Sequence, residues 1–179
     1  GTRAPASGSP VVSALAERVW QLLEEIPDPE IPVVSIRELG ILREVEEWPE
    51  GGGVQVVLTP TYSGCPAMEQ IEGDVRALLA RHQLSARVVT RLAPAWSTDW
   101  MTPEAHRKLR EFGIAPPHRG MAGRQPVQLV RHRGEGLAVP CPRCGSANTT
   151  ETSHFGSTAC KALYRCLHCL EPFDHFKAY

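Results

Sequence analysis

The sequence predicts an α+β protein in two parts: a small two-layer α/β domain with a mixed sheet, then a β-rich four-cysteine module of the zinc-ribbon kind. Three observations carry that prediction. Apolar residues recur at helical spacing in two early stretches separated by short runs of strand character. Between residues 115 and 126 the composition turns to Pro, Gly, Arg and His, which marks a linker. Five of the six cysteines lie in the last forty residues, four of them as two Cys-x-x-Cys pairs. The expected divisions are a disordered tail over 1–10, a domain over 11–114, the linker over 115–126 and a metal-binding module over 127–179.

Val12, Leu15, Ala16, Val19, Leu22, Leu23 and Ile26 repeat at the spacing of one buried helix face. Pro27 ends that helix. In Pro27-Asp28-Pro29-Glu30-Ile31-Pro32 each proline drives its predecessor toward extended backbone, so Asp28 and Glu30 are expected on a stiff, extended loop. Residues 41–48 favour an extended chain and 49–53 a turn. Val54, Val56 and Leu58 then alternate with Gln55, Val57 and Thr59, so a hairpin is expected. After a loop from Thr59 to Cys65, Pro66 suits the first position of a helix carrying Met68, Ile71, Val75, Leu78 and Leu79 on one face. A third strand is expected over 86–92. A third helix opens at Thr102-Pro103-Glu104, with Thr102 as its N-cap, and ends near Gly113. Residues 127–132 read as a strand leading into the cysteine-rich segment. Trp96 and Trp100 are expected as core or interface anchors.

Bulk composition narrows the function classes. Lys and Arg number 19 against 20 Asp and Glu, for a formal charge of -1. Phosphate binding normally needs a basic excess, so no nucleic-acid partner is expected. No apolar run approaches the ~18 residues of a membrane span, so no membrane role is expected either. The first ten residues lack the apolar stretch of a secretory signal, and the cysteine layout is that of metal ligands rather than of a disulfide framework. A cytoplasmic location is the expectation that follows.

Cys141-Pro-Arg-Cys144-Gly145 and Cys166-Leu-His-Cys169 form two knuckles with twenty-one residues between them. That gap is one residue beyond the roughly 15–20 usual for four-cysteine zinc sites, and a hairpin fills it easily. Four thiolates suit the tetrahedral preference of zinc, and a module this short needs a staple to fold. One Zn2+ per chain on Cys141, Cys144, Cys166 and Cys169 is the expected cofactor. An iron–sulfur cluster is the alternative, because it uses the same ligand type. Cys160 and His154 lie outside the pairs as candidate extra ligands; otherwise Cys160 is a small buried hydrophobe and His154 a surface residue.

A second cluster lies in the first domain. Cys65 falls immediately before a helix, where unpaired amides and the dipole lower a thiol pKa, so it is a candidate reactive thiolate or soft-metal ligand. Asp28, Glu30, Thr59 and Thr61 accompany it. Spacing alone leaves open whether Cys65 is functional or merely packed.

Asp28-Pro-Glu30-Ile-Pro, Leu39-Gly40 and Thr59-x-Thr61-x-x-x-Cys65-Pro66 together resemble the metal–sulfur cluster assembly domain of the SufT-like family. The continuation through Pro94-Ala-Trp96-Ser-Thr-Asp-Trp100-Met, Phe112-Gly-Ile-Ala-Pro-Pro, Cys141-Pro-Arg-Cys144 and Phe155-Gly-Ser-Thr-Ala-Cys160 to Cys166 is similar to one branch of it. That is the PaaD branch of aerobic phenylacetate degradation, and the resemblance runs from about Val11 to Tyr179. It implies an accessory role in maturing the phenylacetyl-CoA epoxidase, by insertion of iron or an iron–sulfur cluster. The implied partners are the epoxidase's oxygenase and reductase components. It also implies that Cys65 is the family's characteristic thiol, with Asp28 and Glu30 as its acidic loop. A stoichiometric structural or regulatory subunit with a purely structural zinc is the alternative. A thiol redox enzyme built on Cys65 or Cys160 fits less well, because Cys65 has no neighbouring resolving cysteine. The chain lacks the helix bundle a di-iron oxygenase site would need, so it is not read as an enzyme. A homodimer is compatible with the sequence and nothing in it decides the matter.

Overall fold

The structure, a computed structural model, describes residues 13–118 and 138–177. The tail expected over 1–10 and the strand expected over 127–132 lie outside the described residues.

Helix α1 spans Ala14–Leu23, capped by Ser13, whose hydroxyl accepts from the Ala16 N–H at 3.1 Å. It is shorter than its apolar repeat, because Glu24 and Glu25 already turn out of it ahead of Pro27. Strands β1 (Leu42–Glu47) and β2 (Gly53–Leu58) form the expected antiparallel hairpin. Helix α2 (Ala67–Arg81) then crosses over so that β3 (Ser85–Thr90) joins β2 in parallel, making a mixed sheet in the order β1-β2-β3. Val54, Val56 and Leu58 of β2 are fully buried in one cluster with Val19 and Leu23 of α1 and Ile71, Val75 and Leu79 of α2. Burying each such side chain contributes ~1.5–3 kcal/mol. Helices on one sheet make the two layers.

Thr102 caps helix α3 (Pro103–Glu111) through the Ala105 N–H at 3.1 Å, as its sequence signal predicts. From α3 the chain runs straight into a short strand β4 (Ile114–Ala115), across the boundary expected at 114/115. Strands β5 (Thr149–Ser153), β6 (Lys161–Cys166) and β7 (Pro172–Phe176) follow, and β4 pairs in parallel with β7 to give a second sheet ordered β4-β7-β6-β5. The cysteine-rich module is therefore tied to the first domain by backbone pairing. Side chains tie it too: Phe176 and Cys160 are buried within the larger core, and Phe176 meets the edge of Trp96 at 5.9 Å. Trp96 in turn donates from Nε1 to the Leu39 carbonyl at 2.9 Å.

The acidic loop departs from expectation. It is a compact turn rather than an extended segment, because Asp28 Oδ1 accepts from the Glu30 and Ile31 N–H groups at 2.9 and 2.8 Å and curls the chain around itself. Prolines restrict the local backbone; they do not forbid an Asx turn.

Candidate metal centre and thiol cluster

Cys141, Cys144, Cys166 and Cys169 converge, with their sulfurs all within 4.8 Å of one another. The Cys141–Cys169 and Cys144–Cys166 sulfurs are 3.8 and 3.6 Å apart. A disulfide would hold them at about 2.05 Å, whereas a tetrahedral ion with metal–sulfur bonds of about 2.3 Å separates its sulfurs by about 3.8 Å. The four thiols therefore have the spacing of a single tetrahedral centre.

Each knuckle is shaped by backbone. Gly145, at φ +74°, donates to the Cys141 carbonyl at 2.9 Å, a left-handed position that glycine takes without penalty. The second knuckle uses Leu170 at φ +67° in the same role, a conformation an L side chain rarely takes. The Cys169 and His168 N–H groups point at Cys166 Sγ from 3.5 and 3.4 Å. The Cys169 amide is the strongest of the influences on that thiol, and against burial the set pushes its pKa down to about 6. Cys144 and Cys169 beside it are pushed up, so the group shares its protons unevenly. Around the centre the core is tiny: Ala115, Val139, Cys141, Cys166 and Phe173 are its buried members.

Neither candidate extra ligand belongs to this group. His154 is exposed, beside Glu151 at 3.4 Å, and its carbonyl accepts from Lys177 Nζ at 2.7 Å. Cys160 faces the other way. It is 2% exposed, and its Sγ lies 3.2 Å from Glu30 Oε2 and 3.0 Å from Thr158 Oγ1.

That contact leads to the second cluster, at the seam between the two modules. Cys65 is half-buried on the loop before α2, with Tyr62 beside its thiol and the charges of Glu30 and Asp28 acting on it. Burial raises the Cys65 pKa above its ordinary value, outweighing a hydrogen bond from the Ala67 amide. The expectation of a lowered pKa is thus corrected: one helix-end amide does not offset lost hydration and nearby carboxylates. Burial also pushes the Cys160 thiol up to about 12, and raises Asp28 and Tyr62. Thr59 and Thr61 are buried beneath the loop, and the Thr59 N–H donates to the Ile41 carbonyl at 2.8 Å. Sequence reasoning missed Tyr62 and the turning of Cys160 toward Glu30; neither has a local signal.

An assembly-type α+β domain with a thiol at a helix start, joined to a ribbon with a four-thiol centre, defines the class. An iron–sulfur cluster assembly protein family matches residues 16–90, and the PaaD zinc beta ribbon domain matches residues 125–177. The chain belongs to the PaaD family: it is 51% identical over 160 residues to a 1,2-phenylacetyl-CoA epoxidase subunit of Escherichia coli (strain K12), covering 89% of this chain and 90% of that one. It is also 32% identical over 95 residues to a Porphyromonas gingivalis (strain ATCC BAA-308 / W83) Fe-S protein maturation auxiliary factor, covering 52% of this chain and 89% of the relative. The crystal structure of a domain of unknown function, DUF59, from Bacillus anthracis superposes with a TM-score of 0.50 at 28% identity, over 54% of this chain and 92% of that chain. No helix among the described residues is long and apolar enough to cross a membrane.

Proposed function

We propose that this chain is an accessory factor in maturation of the multicomponent phenylacetyl-CoA epoxidase. It helps to insert iron or an iron–sulfur cluster into the oxygenase or reductase component and does not turn over substrate itself. The observation that carries this reading is Cys65, a half-buried thiol at a helix start, beside Tyr62 and under the charge of Glu30, within the stretch matched by an iron–sulfur assembly family. A soft sulfur beside carboxylate oxygens suits transient ligation of iron. Cys65 is then the transient ligand, Asp28 and Glu30 supply charge and oxygen donors, and Thr59 and Thr61 hold the loop. Likeness to a component of the epoxidase supports the client, and likeness to a maturation factor supports the activity.

The four-cysteine centre takes one zinc ion in this reading. Four sulfurs within 4.8 Å of one another suit a single ion, whereas a cluster sets irons and sulfides between its thiolates and spreads them apart. When bound, zinc supplies a structural crosslink. Free thiols at all six cysteines suit a reducing, cytoplasmic setting.

The Escherichia coli relative is named as part of the epoxidase itself, which favours a second reading, a stoichiometric structural or regulatory component. Co-expression with the oxygenase and reductase separates the two. Cys65→Ser is expected to fold, to keep its zinc, and to yield clients with less than half the normal iron. Normal client iron, with co-purification at fixed ratio, would instead establish the stoichiometric component.

A further inference from the structure

The ribbon does more than pack against the assembly domain: it delivers a thiol to that domain's site. Cys160 stands immediately before β6, 130 positions along the chain from Glu30, yet its Sγ lies 3.2 Å from Glu30 Oε2. Two donors of one tetrahedral ion sit about 3.6 Å apart, given metal–sulfur and metal–oxygen bonds of about 2.3 and 2.1 Å, so a small parting of this pair admits a cation. Glu30 also acts on Cys65, which packs with Tyr62 against the same core that buries Cys160.

We propose that Cys65, Cys160 and Glu30 form a second cation site, composite between the two modules, that takes a thiophilic divalent cation such as ferrous iron. The inference rests on the maturation reading and deepens it, since the ribbon then completes the site at which metal is held. Asp28 adjoins Glu30 and accepts from its N–H at 2.9 Å.

Charge supports the assignment. Asp28, Glu30, Tyr62, Cys65 and Cys160 are all groups that become negative on losing a proton. Lys161, the cation acting on Asp28, is shared with Asp174 at 3.7 Å. A divalent ion neutralises this set as the two thiols ionise: the metal gains two sulfur bonds, two S–H bonds break, and two protons leave to solvent. Because two protons leave as the metal binds, binding strengthens with pH. In the structure the three donors are not all within 4.8 Å of one another, so binding needs Cys65 to shift toward the Cys160–Glu30 pair.

The test uses the full-length protein with its ribbon loaded with zinc, titrated anaerobically with cobalt(II) as a spectroscopic stand-in for ferrous iron. Wild type is expected to bind one cobalt beyond the zinc, with the thiolate-to-cobalt charge-transfer intensity of two sulfurs and release of two protons. Cys160→Ser and Cys65→Ser should each halve that intensity, release one proton and bind at least tenfold more weakly. Glu30→Gln should keep the intensity but bind more weakly. Proton release in the wild type serves as the measure if a cysteine variant loses its zinc or its fold. No cobalt beyond the zinc, one proton instead of two, or a Cys160→Ser spectrum equal to wild type would overturn the composite site. Client iron in the co-expression strain keeps the two ideas apart. Loss with Cys65→Ser alone leaves the maturation reading standing and removes Cys160; no loss with Cys65→Ser removes the maturation reading whatever cobalt does.

Discussion

Asp28 is 6% exposed and holds two backbone N–H groups on one oxygen, yet burial raises its pKa above 3.8 in spite of them. Folding thus favours the neutral carboxyl. That contribution to stability is complete below the unfolded value and is lost as the pH rises through the folded one. Asparagine keeps the accepting oxygen and never ionises. Asp28→Asn is therefore expected to melt with the wild type near pH 4 and progressively above it, by a few degrees, toward pH 7. Asp28→Ala removes the acceptor and should cost ~1–3 kcal/mol throughout. Thermal melts at fixed zinc check both; an asparagine variant melting below wild type at pH 7 would mean that Lys161 and the amides outweigh burial. Residues like these show where sequence reading stops. The helix start at Pro66 is legible, but the sign of the Cys65 shift depends on burial contributed by chain far away. The prolines around Asp28 are legible too, but the Asx turn is a choice made by the side chain.

Elements are far more legible, because their signals are local. The hairpin shows in its alternation around a glycine turn, α2 in the spacing of Ile71, Val75 and Leu79, and α3 in Thr102-Pro103. What spacing does not show is how turns meet. Gly40, at φ +75°, closes the turn that follows the acidic loop, and a Cβ there would lie 2.6 Å from Trp100 Cβ and 2.7 Å from the Trp100 carbonyl oxygen. The backbone at Trp100 cannot retreat easily, since the Thr102 N–H just beyond it donates to the Glu38 carbonyl at 2.9 Å. Gly40→Ala combines a left-handed strain of about 1–2 kcal/mol with an overpacking cost of about 1–3 kcal/mol. Urea denaturation should therefore show a loss of roughly 2–5 kcal/mol. By contrast Thr102→Ala removes one cap and should cost only about 1 kcal/mol. Equal losses would mean that the turn adapts around the added methyl.

For the whole molecule, the question is what the metal holds together. The paired knuckles announce the four-thiol centre in the sequence, since two Cys-x-x-Cys units bring four sulfurs close with little help from the rest of the chain. The seam between modules is not announced, because it depends on β4 pairing with β7 and on Phe176 entering the larger core against Trp96. The ribbon's own core has five buried members, two of them thiols of the four-cysteine centre, so without metal it has little left to order β5, β6 and β7. The first domain keeps its own core of α1, α2 and the mixed sheet. Stripping the bound metal with a chelator at neutral pH is therefore expected to divide the chain's behaviour. Backbone amides over 149–176 should exchange at least about 100-fold faster, while those over 53–58 and 67–81 keep their protection. Cys160 should become open to alkylation at the same time, and Trp96 emission should shift to the red as Phe176 leaves it. Hydrogen exchange with mass spectrometry reads these segments separately. If 149–176 stays protected without metal, then docking on the assembly domain, rather than the metal, is what folds the ribbon, and the four thiols would be free to serve as a metal store instead of a clamp.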